Sequence, residues 1–303
     1  MSLENVHFKA TYNFLGLPEE DSRYEDAKAV IIPVPYDSTT SYRAGTREGP
    51  QAILTASRQV ELFDLDLGCE PLTSGVHTFP ELETDTSGPE GTVKNVEKAF
   101  KAVFSANKLP VMLGGEHSIT SGAVKAAKAK YKKSLSVLQL DAHSDMRDEY
   151  ENTIYNHACV MRRVYDLAPV TQVGIRNTCK DEIEFFKKVK HDGIIWASQM
   201  ADPKNNWIER VLSRLSDDVY ITIDLDALDP SIMPAVGTPE PGGMLWYQTL
   251  ELLTKVIDKK NVIGFDVVEL CPIPGNIASD FLAAKLVFKM LGRIFKKNGW
   301  ISK

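Results

Sequence analysis

Seven short apolar runs, each followed by at least one stretch of helical periodicity, leave this chain few ways to fold. The runs are "AVIIPVP" (29–35), "LPVMLGG" (109–115), "LSVLQLDA" (135–142), "VTQVGIR" (170–176), "GIIWA" (193–197), "VYITIDLDALD" (219–229) and "VIGFDVVEL" (262–270). They are rich in β-branched residues and largely continuous rather than alternating, as expected of strands covered on both faces. Helical patterns occupy 51–64, 93–107, 118–131, 158–167, 181–190, 206–216, 246–259 and 279–297. Strands alternating with helices predict an α/β fold: a single three-layer α/β/α domain around a mainly parallel sheet. No repeat, low-complexity stretch or linker divides the 303 residues, so one domain over 1–303 is expected, with residues 1–25 as an N-terminal extension packing on it.

The polar residues cluster where the runs end. "GGEHS" closes the second run, "DAHSD" the third, "DLDALD" the sixth and "ELCP" the last. In open parallel sheets the carboxyl ends of the strands frame the ligand crevice. Four segments distant in sequence are therefore expected at one rim.

The contents of that rim dictate its chemistry. Asp141, His143 and Asp145 fall at alternate positions, as do Asp224 and Asp226, and His117 adds a second imidazole. In an extended chain alternate side chains share a face, so four carboxylates and two imidazoles are expected to converge. Carboxylates this close cannot all stay ionised without a counter-charge, and Arg147, just beyond the cluster, is the only nearby basic residue. Divalent cations supply the missing charge. Six ligands exceed one closed tetrahedral zinc, and an oxygen-rich set with imidazoles suits Mn²⁺ better than Zn²⁺. Two Mn²⁺ ions use the whole set.

Composition removes other classes. The net charge is −6, and the Lys and Arg residues are scattered, which argues against nucleic acid and against an anionic membrane surface. No apolar run approaches the ~20 residues of a membrane span. The four cysteines, Cys69, Cys159, Cys179 and Cys271, form no C-x-x-C pair, and with no secretory leader in view they read as reduced thiols in a cytoplasm. Cys159 is expected to be a small buried residue rather than a nucleophile.

"GGEHS", "DAHSD", "IDLDALDPSIMPAVGTPEPGG" and "DVVEL" resemble, in order, the motifs of the ureohydrolase family, which includes arginase and agmatinase. "VPYDSTTSYRAGTREGP" is similar to the family's N-terminal pocket loop. The resemblance implies an arginase-like fold and two manganese ions. One would be held by His117, Asp141, Asp145 and Asp224, the other by Asp141, His143, Asp224 and Asp226, with Asp141 and Asp224 bridging. It implies hydrolysis of a small-molecule guanidine to an amine and urea, and a homo-oligomer, trimer or hexamer.

A guanidinium is a resonance-stabilised, poor electrophile, so attack needs an activated water and a carboxylate to hold the planar cation. Glu269 in "DVVEL" is the candidate carboxylate, and Asp226 the candidate for orienting the nucleophile and taking up its proton. His157 in "YNHACVMRRV" matches the family's proposed proton shuttle, although Ala158 stands where many members carry glycine. Glu116, and alternatively Asp266, are candidates to orient a metal-bound histidine. His7, His77 and His191 belong to no ligand motif and are expected at the surface. The loop "PSIMPAVGTPEPGGM" is expected to shape the pocket wall.

For the substrate, "MRDEYENTIYN" (146–156) and "GIRNTCKDE" (174–182) resemble agmatinases more than arginases. Agmatine, giving putrescine and urea, is the expected substrate, with Asp148, Glu149 and Glu151 available to attract a distal ammonium. Guanidinobutyrase or another guanidino-acid hydrolase is the near alternative, with Arg43, Arg147 or Arg176 holding a tail carboxylate. Arginase, a two-metal phosphoesterase and a non-catalytic metal-binding homologue rank lower.

Overall fold

The apolar runs do form strands, and an eighth joins them. A computed structural model describes residues 12–202 and 204–301. The strands are β1 (Ala29–Val34), β2 (Val76–Thr78), β3 (Leu109–Gly114), β4 (Leu135–Leu140), β5 (Val170–Ile175), β6 (Ile194–Trp196), β7 (Asp218–Asp224) and β8 (Asn261–Val268). All pair in parallel, in the order β2-β1-β3-β8-β7-β4-β5-β6. The unexpected β2 is three residues long, and its His77 and Thr78 are half-buried, so it lacks the apolar run that marks the others.

Nine helices cover the sheet: α1 (Gly49–Ser57), α2 (Pro89–Ser105), α3 (Thr120–Tyr131), α4 (Val160–Tyr165), α5 (Lys180–Val189), α6 (Ala197–Met200), α7 (Trp207–Arg214), α8 (Trp246–Lys259) and α9 (Ala278–Asn298), counted among the described residues. Successive strand residues face opposite layers. Ile31, Ile221 and Phe265 pack with side chains of α1, α7, α8 and α9, whereas Val30, Ile32 and Tyr220 pack with those of α2, α3 and α4. Of the expected N-terminal extension, residues 1–11 lie outside the described residues, while Phe14, Leu15 and Leu17 are buried in the first of these cores. The helix expected over 51–64 ends at Ser57, whose hydroxyl donates to Leu54 O at 2.8 Å and accepts the Leu15 amide at 2.9 Å.

The strand order brings the four polar segments together. β3, β8, β7 and β4 are consecutive neighbours, and Leu113, Val267, Ile223 and Leu140 form one register row across them. His117, Glu269, Asp224 and Asp141 each follow that row by one to four residues.

Local geometry differs from the extended chain expected. β4 stops at Leu140, and β7 stops at Asp224 instead of continuing to 229. Asp141 Oδ1 accepts the His143 amide at 2.6 Å, and Asp224 Oδ1 accepts the Asp226 amide at 2.9 Å. Each carboxylate thus bonds the backbone two residues on, an Asx turn that ends the strand. The acids converge through turns, not through pleat alternation.

Candidate metal centre and active site

His117 opens a short 3-10 turn before α3 and is fully buried. Gly115 permits this turn, because a Cβ there would lie 1.9 Å from the Tyr36 carbonyl oxygen. His117 Nδ1 has no hydrogen-bond partner, yet three carboxylate oxygens surround it: Asp141 Oδ2 at 3.1 Å, Asp145 Oδ2 at 3.3 Å and Asp224 Oδ2 at 3.3 Å. On the other side, His143 Nδ1 lies 2.8 Å from Asp226 Oδ2 and 3.6 Å from Asp141 Oδ1. Two donor groups result, His117–Asp141–Asp145 and Asp141–His143–Asp226, and Asp141 belongs to both. Ligands about 2.1 Å from one ion at right angles stand about 3 Å apart, so the spacing fits metal coordination. A buried ring nitrogen with carboxylates around it and no hydrogen bond is the arrangement a lone pair needs to reach a metal.

The electrostatics agree. Burial, with Asp226 and Asp141 close by, drives the Asp224 carboxyl well above the usual carboxylate range. Burial and Asp141 push Asp145 up to about 7. Burial also opposes charge on His143, but Asp226 and Asp141 hold its imidazole above the usual range. Such a set is what positive ions neutralise.

A cavity of about 190 Å³ opens onto these groups, lined among others by His143, Asp145, Asp224, Asp226, His157 and Glu269. Glu269 Oε1 accepts the His117 amide at 2.7 Å, and burial followed by Glu116 pushes its carboxyl well above the usual range. Asp145 and Glu269 both have left-handed backbones, with φ of 52° and 65°, a conformation uncommon among non-glycine residues. His157 opens another 3-10 turn, capped by the Asn156 side chain on the Ala158 amide at 2.9 Å. Ala158 is not among the positive-φ residues, so alanine fits where the family often has glycine. Thr40, Ser41, Tyr42 and Arg43 line the mouth, as expected of the N-terminal loop. Gly237 and Thr238 bring in the proline-rich loop.

Several expectations are corrected. Glu116 does not touch the His117 ring; it accepts hydrogen bonds from Thr39 and Ser118. The His117 partner is Thr222, whose Oγ1 lies 2.8 Å from Nε2 and donates to the fully buried Asp266. Asp148, Glu149 and Glu151 are exposed and line no part of the cavity, and Asp148 pairs with Arg163 at 2.6 Å. Arg176 is bound to main-chain carbonyls, Asp226 O at 2.6 Å and Glu240 O at 2.8 Å among them, which leaves Arg43 and Arg147 at the cavity. His77 and His191 are half-buried: His77 donates to Ser22 O at 2.8 Å and His191 Nε2 lies 3.1 Å from Gln172 Oε1. His7 lies outside the described residues. Cys159 is buried, and burial pushes its thiol up to about 12, as an inert cysteine requires.

Besides Thr222, sequence reasoning missed three supports. Buried Gln139 donates to Asp141 Oδ2 at 2.6 Å, and Gln172 donates to Gln139 Oε1 at 2.5 Å. Buried Glu182 ties the cluster loop to α5, accepting Ser144 Oγ, the Met146 amide and the Cys179 amide. A glutamine inside the apolar run "LSVLQLDA" was a visible signal; nothing marked Glu182 among the acids of its helix.

The profile of the arginase family matches residues 27–292. The chain belongs to that family. An N(1)-aminopropylagmatine ureohydrolase of Synechocystis sp. is 41% identical over 281 residues, covering 90% of this chain and 91% of the relative. An agmatinase of Pyrococcus horikoshii is 34% identical, covering 92% and 95%. Among solved structures, the agmatine ureohydrolase of Thermoplasma volcanium superposes with a TM-score of 0.86 at 34% identity, covering 98% of each chain. This arginase-family chain is thus a ureohydrolase-type enzyme with the family's parallel-sheet fold. Among its described residues no helix is long and apolar enough to cross a membrane.

Proposed function

We propose that this enzyme uses two Mn²⁺ ions to hydrolyse the guanidinium of a decarboxylated, polyamine-type substrate. Agmatine, yielding putrescine and urea, and its N1-aminopropyl derivative, yielding aminopropyl-substituted putrescine and urea, are the substrates we assign. The observation that carries this reading is Asp141 standing between two imidazoles, His117 and His143, just beneath the cavity that His143, Glu269 and His157 line. The relative of 41% identity favours the aminopropyl derivative, and the solved agmatine ureohydrolase favours agmatine.

His117, Asp141, Asp145 and Asp224 would hold one ion, and Asp141, His143, Asp224 and Asp226 the other. When bound, the ions neutralise the clustered acids and acidify water at the site. Glu269, fixed on the His117 amide, pairs with the guanidinium and holds its carbon for attack. Asp226 takes the proton of the attacking water. The bond from the central carbon to the alkyl nitrogen then breaks, and His157, having taken up the proton that Asp226 gives back, delivers it to the departing amine. Urea and amine leave with no net gain or loss of protons or electrons at neutral pH beyond the amine's own ionisation.

Self-association and a cytoplasmic setting belong to the same reading. Tyr247 and Ile277 are 82% and 77% exposed, and Ile277 lines an apolar groove with Trp246 and Phe281, which supports a homo-oligomer measurable by sedimentation. All four cysteines are free thiols.

The test is urea release with manganese from agmatine, N1-aminopropylagmatine, 4-guanidinobutyrate and arginine. The first two are expected to give the highest kcat/KM, and Glu269→Gln to lower it about 100-fold or more. Preference for arginine or guanidinobutyrate would overturn the substrate class. Full activity of Glu269→Gln would remove the guanidinium role of that residue.

A further inference from the structure

Thr39, in the loop after β1, joins a fully buried acid to the histidine of the cavity. Its amide donates to Glu116 Oε2 at 2.6 Å, and its hydroxyl donates to Glu116 Oε1 at 2.6 Å. Ser118 Oγ donates to that same Oε1 at 2.5 Å. With Glu116 ionised, Thr39 Oγ1 commits its single proton to it, and toward any other neighbour it only accepts. That neighbour is His157. The His157 amide donates to Thr39 Oγ1 at 3.1 Å, and His157 Nδ1 lies 3.5 Å from the same oxygen. The other ring nitrogen, Nε2, lies 3.4 Å from Ser41 Oγ, a residue that lines the cavity.

A neutral imidazole carries its proton on one nitrogen, chosen by what the other side can accept or donate. With Thr39 unable to donate, a lone pair on Nδ1 would face a lone pair on oxygen. A proton on Nδ1 removes that repulsion and leaves the Nε2 lone pair at the cavity. We propose that Thr39, its own proton fixed by Glu116, is a positioning residue that holds His157 in the Nδ1–H tautomer, so that Nε2 is the atom that takes up and delivers the proton. Burial pushes the His157 ring down to about 4, so the neutral form, for which tautomer choice matters, is the resting one. The inference rests on the proposed role of His157 as proton donor.

The experiment reads the tautomer directly, by nitrogen-15 NMR of histidine-labelled enzyme loaded with diamagnetic Zn²⁺ or Mg²⁺ in place of manganese, beside steady-state kinetics of the manganese-loaded enzyme. The wild-type His157 signal is expected in the Nδ1–H form. Thr39→Val should mix the tautomers and lower kcat about 10- to 100-fold, with KM and manganese content within about twofold, and Thr39→Ser should restore both. Glu116→Gln gives a second, independent arm. Its carboxamide keeps an oxygen for the Thr39 amide and turns its NH₂ to the Thr39 hydroxyl, freeing the hydroxyl proton for His157 Nδ1; the Nε2–H tautomer should then dominate. An unchanged Nδ1–H tautomer in both Thr39→Val and Glu116→Gln overturns the inference. Wild-type kcat in His157→Gln would instead overturn the proton-donor role, and the NMR result separates the two failures.

Discussion

Thr222 Oγ1 lies 2.6 Å from Asp266 Oδ1 and 2.8 Å from His117 Nε2, making a threonine the link between a buried acid and a candidate metal ligand. Asp266 also accepts Tyr220 Oη at 2.7 Å and Thr120 Oγ1 at 3.1 Å, so its position is fixed from three sides. With its proton given to Asp266, Thr222 accepts the His117 Nε2–H, and the Nδ1 lone pair is left for a cation. Thr222→Val should weaken manganese binding about 10- to 100-fold, whereas Thr222→Ser should bind normally. Titration calorimetry of the metal-stripped protein with Mn²⁺ checks this, and normal affinity in Thr222→Val would refute the link.

Manganese should also be a structural component. Asp141, Asp145, Asp224 and Glu269 are buried in one place, and buried like charges oppose folding unless compensated. Thermal unfolding should move up with added Mn²⁺ and down on chelation. A free ion concentration 100 times Kd corresponds to about 2.7 kcal/mol for one site. Asp141→Asn, which alters the carboxylate shared by both donor groups, should lose most of that manganese-dependent shift. A wild-type shift in Asp141→Asn would count against sharing.

Arg176 separates structure from specificity. Its guanidinium donates to the carbonyls of Asp226 and Glu240, and to Pro241 O at 3.0 Å, lacing the proline-rich loop to β5. A lysine cannot reproduce this fork. Arg176→Lys should cost about 2 kcal/mol of stability by denaturant melting, while the ratio of kcat/KM for agmatine over 4-guanidinobutyrate stays as in wild type. A rise in that ratio would return Arg176 to the role of tail-carboxylate partner.

Much of this site was legible because its parts lie at the ends of apolar runs, where an Asp or His has no core role. The adjacency of β3, β8, β7 and β4 was not, since the runs give strands but not their lateral order. Nor was Thr222, because threonine is at home in any strand, and only its neighbours Asp266 and His117 give it a task. The acids 148, 149 and 151 misled for the opposite reason: charge in a loop says nothing about which way the loop faces. The turns after β4 and β7 explain why the alternation of Asp141, His143 and Asp145 pointed to the right place for the wrong geometric reason.

Acid should loosen the wall of the cavity. Asp229 Oδ2 accepts the amides of Gly242 at 2.9 Å and Gly243 at 3.0 Å, and Oδ1 accepts the Ser231 amide at 3.0 Å. One carboxylate thereby pins both ends of the segment that carries Gly237 and Thr238 to the cavity. Its hydrogen bonds, from Ser231 foremost and then the two glycine amides, pull its pKa down to about 2. A carboxyl depressed in the folded state stabilises it fully above the ordinary value of about 3.9, and that stabilisation disappears as pH falls through the folded value. Asp229→Asn should therefore melt at a lower temperature than wild type at neutral pH, and the gap should narrow between about pH 4 and pH 2. A loosened wall should also raise KM more than it lowers kcat. Calorimetric melts across that pH range, with kinetics at neutral pH, decide the matter: a pH-independent gap with unchanged KM would mean that the carboxylate neither titrates in the fold nor holds the loop.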